Sequence, residues 1–454
     1  MNNDDANDGR LSVGQKLGYG AGELGSTLFW STLAALLLAF LTDDLKLAPY
    51  LAGIVLMAGK VWDAVTDPTV GYLSDRTRTR WGKRRPWFLF GAVPLGLAFF
   101  WMFRNPHITE ETPLFIWALF SYMVLFTAYT VVNIPYIAMI PDLSKNFEER
   151  TNINAYRSIF SVTGVLVGAG ASLPIVLACD NRYVGFMVMA AIFGGIMAIS
   201  AVIPFFAVKE PPLDDRPKPR ENIFSLYMTA VKNRPYMLVA VPWSLNTAGV
   251  TVVMSSLFFY FKYIFDNEGL MPVAMIILLV TAMAFLPLTV KVAKVLDKRN
   301  TYLFGMLLVA AVLIVMFFLG HRLGVYFVYG CMFFAGIGVS THFVMPWSMV
   351  PDTVEHDYVE SGQRREGIYF GFWTFLSKIG AAVAGLVSGL LLDATGFIPD
   401  VMQTETARLG IRLLAGPAGA IFFIIAGIIL IRYPIDKKRY SEIMEKVRVM
   451  EQGQ

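Results

Sequence analysis

The stretch GMLLVAAVLIVMFFLG, from Gly305 to Gly320, contains no charged residue. A hydrocarbon layer of ~30 Å demands about 20 consecutive, mostly apolar residues of any helix that crosses it. Extended back to 301, this run meets that demand. Eleven further segments do the same, which places spans at 17–41, 48–73, 87–103, 113–140, 152–178, 184–207, 236–262, 271–293, 301–320, 323–350, 366–392 and 409–432. The expectation is an all-α membrane protein with twelve transmembrane helices. Several spans contain Gly or Pro, which membrane helices tolerate because neighbours satisfy the freed backbone groups. Composition agrees: 56% of residues are hydrophobic, 16% are charged and the mean hydropathy is +0.56. Soluble domains carry roughly 25% charged residues. The net charge of +4 is too small to suggest a nucleic-acid partner. The two cysteines, Cys179 and Cys331, have no metal-ligand spacing and argue against a disulfide framework. The opening MNNDDANDGR is polar and acidic, unlike a cleavable signal peptide.

The connecting segments orient the spans. Of the 38 lysines and arginines, three lie within spans (Lys60, Arg157, Lys378). Seven lie on one set of loops and span edges: Lys46, Arg104, Arg182, Lys262, Arg322, Arg408 and Arg412. The rest crowd the N-terminus, loops 2–3, 4–5, 6–7, 8–9 and 10–11, and the C-terminus. The positive-inside rule then expects both termini in the cytoplasm of a multi-pass cell (inner) membrane protein. An even number of spans is required for that. The stretch 208–235 is rich in Pro and charge and lies midway along the chain, which is linker composition. It predicts a six-helix half at 1–207, a cytoplasmic linker at 208–235, a second six-helix half at 236–433 and a cytoplasmic tail at 434–454.

An internal echo supports two halves. Span 4 ends in Ile134-Pro135-Tyr136, followed by Ile140-Pro141-Asp142. Span 10 ends in Met345-Pro346-Trp347, followed by Val350-Pro351-Asp352. Parallel halves of this kind describe the major facilitator architecture. Loop 2–3 reads GYLSDRTRTRWGKRRP from Gly71 to Pro86 and resembles the G-x-x-x-D-R-x-x-x-R-x-G-R-R loop of that superfamily. Gly71 would let two helices approach closely. Asp75, with Arg76, Arg80 and Arg84 around it, could form a bridge that closes in one conformation and opens in another. A plain basic loop that sets topology is the competing reading.

Ionisable groups inside a bilayer are costly and functional by default. Span 2 carries Lys60, Asp63 and Asp67 on one helix face. Two carboxylates one turn apart repel unless a cation lies between them or one holds a proton. Oxygen ligands suit a hard cation, and Thr66 and Thr130 could add hydroxyl oxygens. A structural ion pair with Lys60 or Lys378 is the alternative. Lys378 on span 11 needs an anionic partner, and the span 2 aspartates would supply one. Arg157 on span 5 could touch substrate or a carboxylate, or extend to the interface. Glu23 on span 1 lies among Gly18, Gly20, Gly22 and Gly25, where a partner helix can pack closely. Its role stays open between proton, substrate and helix contact.

These residues carry a family resemblance that runs through nearly the whole chain. KLGYGAGELG at 16–25, WDAVTDP at 62–68, RTRTRWGKRRPW at 76–87 and YTVVNIPY at 129–136 are similar to the glycoside–pentoside–hexuronide:cation symporter family. So are AYRS at 155–158 and the segment from Pro351 to Gly380. The resemblance implies a cation site at Asp63, Asp67, Thr66 and Thr130, serving sodium or a proton. It implies that Lys378 interacts with that site, and that Tyr129 and Arg157 line a central cavity. Glu23, Thr27, Asn133 and Trp373 complete the expected substrate set. The family's melibiose carriers hold sugar hydroxyls through an Asp on span 1 and one on span 4. Thr27 and Asn133 stand at those positions here, so the resemblance implies a cation site that is kept and a galactoside clamp that is not.

The expected function is cation-coupled symport of a glycoside, pentoside or hexuronide by alternating access. Arg157 and Lys378 would suit an acidic sugar. The alternative is a lysophospholipid or other amphiphile carrier on the same scaffold. No HExxH, GxSxG or phosphate-cradling loop is present, and the four histidines (His107, His321, His342, His356) are scattered, which argues against an enzyme. The expected partners are a small-molecule solute, a coupling cation and membrane lipid, with no resident cofactor. The sequence leaves substrate identity and the choice of sodium or proton open.

Overall fold

The computed structural model describes residues 11–144, 147–210, 223–363 and 365–452. The acidic opening at 1–10 and the central part of the expected linker, 211–222, lie outside the described residues. Among the described residues the secondary structure is helical, with a single isolated bridge between Thr79 and Gly82. The chain forms two compact units, Met1–Pro217 and Lys218–Gln454.

The first unit holds six spans. Span 1 is Val13–Gly20 and Gly22–Thr32, continued by π-helical turns at Leu33–Leu37 and Phe40–Asp44. Spans 2 to 4 are Pro49–Arg76, Arg85–Met102 and Glu111–Ala138. Span 5 is Phe147–Gly170 with Ser172–Leu177, and span 6 is Arg182–Ala207. The second unit holds spans 7 and 8, Arg234–Ile264 and Met271–Leu296. Span 9 is Lys298–Val315 with Met316–Gly320, span 10 is Val325–Ser361 and span 11 is Glu366–Ala394. Span 12 runs from Glu405–Leu413 through Leu414–Ala418 to Gly419–Leu430. Among the described residues, ten helices are long and apolar enough to cross a membrane. Spans 1 and 2 fall short for opposite reasons. Span 1 is cut at Ala21 and Leu33 into shorter pieces. Span 2 is 28 residues long but carries Lys60, Asp63 and Asp67, which lower its hydropathy.

Local chemistry explains several helix ends. Ser12 and Gln15 form a reciprocal capping box at the start of span 1. Asn181 caps span 6 by accepting from the Tyr183 and Val184 N–H groups. Span 10 continues past the expected end at 350 and stops at Gly362, whose φ of +70° is a left-handed helix terminus suited to glycine. The expected linker 208–235 is not uniformly extended: Ile223–Lys232 is a helix, and Tyr227 packs against Phe372 and Phe375 of span 11.

Packing in the first unit puts span 1 against spans 5 and 6, span 3 against spans 4 and 6, and span 2 against span 4. Small residues permit the closest approaches. A Cβ on Gly25 would stand 2.1 Å from Ser200 Oγ, and one on Gly164 would stand 2.6 Å from the Leu24 carbonyl oxygen. In the second unit span 7 packs on spans 11 and 12, and span 10 on spans 8 and 9.

Candidate functional site

Span 2 presents Asp63, Thr66 and Asp67 on one face because the positions differ by three and four residues. Pro68 follows, and its missing N–H leaves the Ala64 carbonyl without its ladder bond. Span 4 lies against this face. Gly59 makes that possible: a Cβ there would stand 2.1 Å from the Tyr122 ring. Two turns further along span 4, the Thr130 hydroxyl lies 3.0 Å from Asp63 Oδ1 and 3.2 Å from Asp67 Oδ1. The Thr66 hydroxyl is 3.4 Å from it and donates to the Asp63 carbonyl at 3.2 Å. Asp63 and Thr130 are fully buried. The four side chains form an oxygen-rich cluster of the kind a hard cation favours.

A second group lies beside the first, next to it in sequence through Lys60 and Tyr129. The Lys60 ammonium sits 3.3 Å from the centroid of the Trp30 ring and 4.9 Å from that of Phe126. The Trp30 indole N–H donates to the Tyr129 hydroxyl at 2.7 Å. That hydroxyl also bonds Ser26 Oγ at 2.7 Å, and Ser26 Oγ donates to Asn133 Oδ1 at 3.1 Å. Tyr129 is stacked on Phe29 with centroids 4.2 Å apart. Ser26, Tyr129 and Asn133 line a cavity of about 20 Å3 inside the unit. Ser26 and Trp30 escaped sequence reasoning. Their spacing from Glu23, three and seven residues along one face of span 1, is the signal that could have found them. Thr27 turns elsewhere: its hydroxyl donates to the Glu23 carbonyl at 2.9 Å, and its Oγ1 lies where a Cβ on Gly164 of span 5 would sit.

Arg157 and Glu23 meet each other. The guanidinium donates to Glu23 Oε2 through Nη2 at 2.5 Å and Nε at 3.1 Å, and to Asn154 Oδ1 at 2.8 Å. It also lies 5.3 Å from the Tyr136 ring centroid. In the second unit Lys378 is buried, and Trp373 is stacked on Trp243, which is stacked in turn on His342. Trp243 and His342 were not anticipated.

Loop 2–3 is an ion-pair junction. Arg84 bonds Asp75 at 2.8 Å, Asp142 at 2.6 Å and the Ala138 carbonyl, and Lys83 pairs with Asp142 at 2.9 Å. Arg76 and Arg80 are exposed and lie over the rings of Tyr72 and Trp81. Gly71 departs from its expected part. A Cβ there would meet Ile134 at 3.6 Å, an ordinary contact, so no close helix approach depends on it. Glu210 takes a part that the linker reading did not foresee. Its carboxylate accepts from the backbone N–H groups of Lys83, Arg84 and Arg85, each at 2.7 Å.

The chain is 30% identical to an "Uncharacterized symporter" of Synechocystis sp. over 98% of both proteins. It is 28% identical to the "Glucuronide carrier protein homolog" of Escherichia coli, over 96% of each. It is 25% identical to "Sodium-dependent lysophosphatidylcholine symporter 1-A" of Danio rerio, over 94% of this chain and 87% of that one. Among solved structures, a bacterial homolog of the lysosomal transporter Spinster matches with a TM-score of 0.64 at 13% identity, covering 96% of this chain and 97% of that one. That likeness shows a shared major facilitator fold. Residues 18–437 match a description that takes in nearly all of both units, and the chain belongs to the MFS/sugar transport protein family, a group of multi-pass membrane transporters and not of enzymes.

Proposed function

We propose that this protein is a cation-coupled symporter of a sugar-like solute, a glycoside, pentoside or hexuronide, working by alternating access with both termini in the cytoplasm. One observation carries the reading: a buried Thr130 hydroxyl within 3.0 and 3.2 Å of two carboxylates on a membrane-spanning helix. A sodium ion or a proton at Asp63 and Asp67 relieves their repulsion. Bound cation then favours solute, and by linkage solute favours cation by the same factor. Trp30 supports the coupling, because it touches both the Lys60 ammonium of span 2 and the Tyr129 hydroxyl of the expected solute group. The names of the relatives agree with symport, and one of them is sodium-dependent by name. That same relative favours the second reading, a lysophospholipid carrier.

The test is uptake into vesicles holding the purified protein, with labelled glycosides, pentosides, hexuronides and a lysophospholipid, under an imposed sodium or proton gradient. Gradient-driven accumulation of a sugar-like solute is expected. Asp63→Asn abolishes it, and Thr130→Val weakens the apparent cation affinity by about tenfold, the worth of one hydrogen bond to a charged group. Accumulation by Asp63→Asn equal to the parent protein overturns the reading. Lysophospholipid uptake with no sugar signal moves the solute to the amphiphile class.

A further inference from the structure

In the second unit, spans 7 and 11 meet where a small residue lets them. A Cβ on Gly380 would stand 2.1 Å from the Ser244 carbonyl oxygen, and the Ser244 hydroxyl donates to the Leu376 carbonyl at 2.6 Å. Next to Ser244, Trp243 and Thr247 lie four residues apart on one face of span 7. Span 11 adds Trp373 and span 10 adds His342, and three rings form one column. The centroids of Trp243 and Trp373 are 4.9 Å apart with planes inclined by 13°. Those of Trp243 and His342 are 4.4 Å apart with planes inclined by 17°. Trp243 is 9% exposed and Trp373 1%.

The column holds more polarity than packing asks for. Trp243 Nε1, Trp373 Nε1, His342 Nδ1 and Thr247 Oγ1 are buried atoms with no hydrogen-bond partner among the described residues. Buried indole N–H groups ordinarily find an acceptor, because an unmade bond costs the donor its hydration. Elsewhere in this chain they do: the indoles of Trp30, Trp62, Trp87 and Trp101 donate to hydroxyl oxygens at 2.7, 2.9, 3.0 and 3.0 Å. An indole N–H can only donate, so the partner that suits Trp243 and Trp373 is an acceptor. Apolar ring faces with a few convergent polar groups are the make-up of a small-molecule site. A sugar ring matches both parts, with C–H groups on its face and oxygens at its edge. An acyl chain would use the faces and leave the N–H groups unmet. Trp347 is 50% exposed and lies edge-on against both indoles, 6.0 Å from Trp243 and 6.1 Å from Trp373 between centroids.

We propose that Trp243, Thr247, His342 and Trp373 form the second unit's subsite for a sugar ring. The two indole N–H groups donate to oxygens at the ring edge, and Trp347 is the cover that turns aside to admit it. The proposal rests on the symport reading and selects the sugar over the amphiphile within it.

The test is uptake of labelled methyl glucoside, xylose and glucuronate by the full chain in vesicles, under sodium and proton gradients. The sugar that the parent protein accumulates best is carried through the variants. Trp243→Phe and Trp373→Phe keep a stacked ring and remove the N–H. Each is expected to raise the half-saturating sugar concentration about tenfold, the worth of one buried hydrogen bond, with the maximal rate unchanged. Their melting temperatures without sugar stay level or rise, because a buried donor without an acceptor is gone. Trp101→Phe loses an indole already bonded to Ser121 and leaves half-saturation unchanged. Should Trp373→Phe fold poorly, Trp243→Phe alone decides. Half-saturation equal to the parent in both variants, with sugar accumulation intact, overturns the subsite and leaves symport standing. Accumulation of none of the three sugars by the parent protein overturns both.

Discussion

At the scale of single residues, two glycines in one motif differ in what the fold asks of them. Gly82 has a φ of +109°, and a Cβ there would stand 2.6 Å from Glu210 Oε2. Both the backbone and the Glu210 carboxylate exclude a side chain. Gly71 has neither constraint, since its nearest contact would be Ile134 at 3.6 Å. Gly82→Ala is expected to cost about 1–3 kcal/mol, the range for strain at a special backbone position. Gly71→Ala is expected to stay within about 0.5 kcal/mol, the range for an uncrowded substitution. Thermal unfolding of the two variants in detergent checks this, and equal losses would show that helix approach at 71 matters after all.

At the scale of helices, two acidic side chains anchor helix ends. Glu210 caps span 3 through three backbone N–H groups, where the helix dipole also favours negative charge. Span 5 begins with a carboxylate that reaches across to span 1 and does not cap its own helix. Glu149 precedes the apolar segment Asn152–Leu177 and ties span 1 to span 5. It accepts from Lys16 at 3.1 Å and from the Leu11 N–H at 2.7 Å. Burial pushes the Glu149 carboxyl up, but these bonds outweigh it and hold the group below its usual range. A carboxyl lowered in the folded state adds stability above its unfolded pKa of about 4.5 and loses it as pH falls through the folded value. The parent protein should therefore unfold at a higher temperature than Glu149→Gln at pH 7. That gap should shrink as the pH drops below about 4.5. A gap that stays constant from pH 7 to pH 3 would remove Glu149 from the account.

At the scale of the whole molecule, the two units repeat one bridge. In the first, Asp142 after span 4 pairs with Lys83 and Arg84 before span 3. In the second, Asp352 near the end of span 10 pairs with Lys298 at the start of span 9, at 2.6 Å. The Pro-aromatic, Pro-Asp echo in the sequence thus has a physical counterpart in each unit. Asp142→Asn and Asp352→Asn should each lower the melting temperature, because each leaves a cation without its carboxylate. The two bridges share no partner, so their effects should add within about 0.5 kcal/mol. A double variant far from additive would mean that the bridges report on one another.

The sequence by itself determined the class, the approximate spans and the acidic face of span 2, because bilayer thickness and helix periodicity act on local strings of residues. Only the tertiary structure set the distances from Thr130 to Asp63 and Asp67, turned Arg157 onto Glu23 rather than leaving its partner open, and gave Ser26 and Trp30 places in the network. It also released Gly71 from the role its motif suggested and gave Glu210, a residue of linker composition, the start of span 3. These outcomes depend on which helix faces meet and at what distance. That is settled by close packing between segments far apart in the chain, which no local pattern of residues encodes.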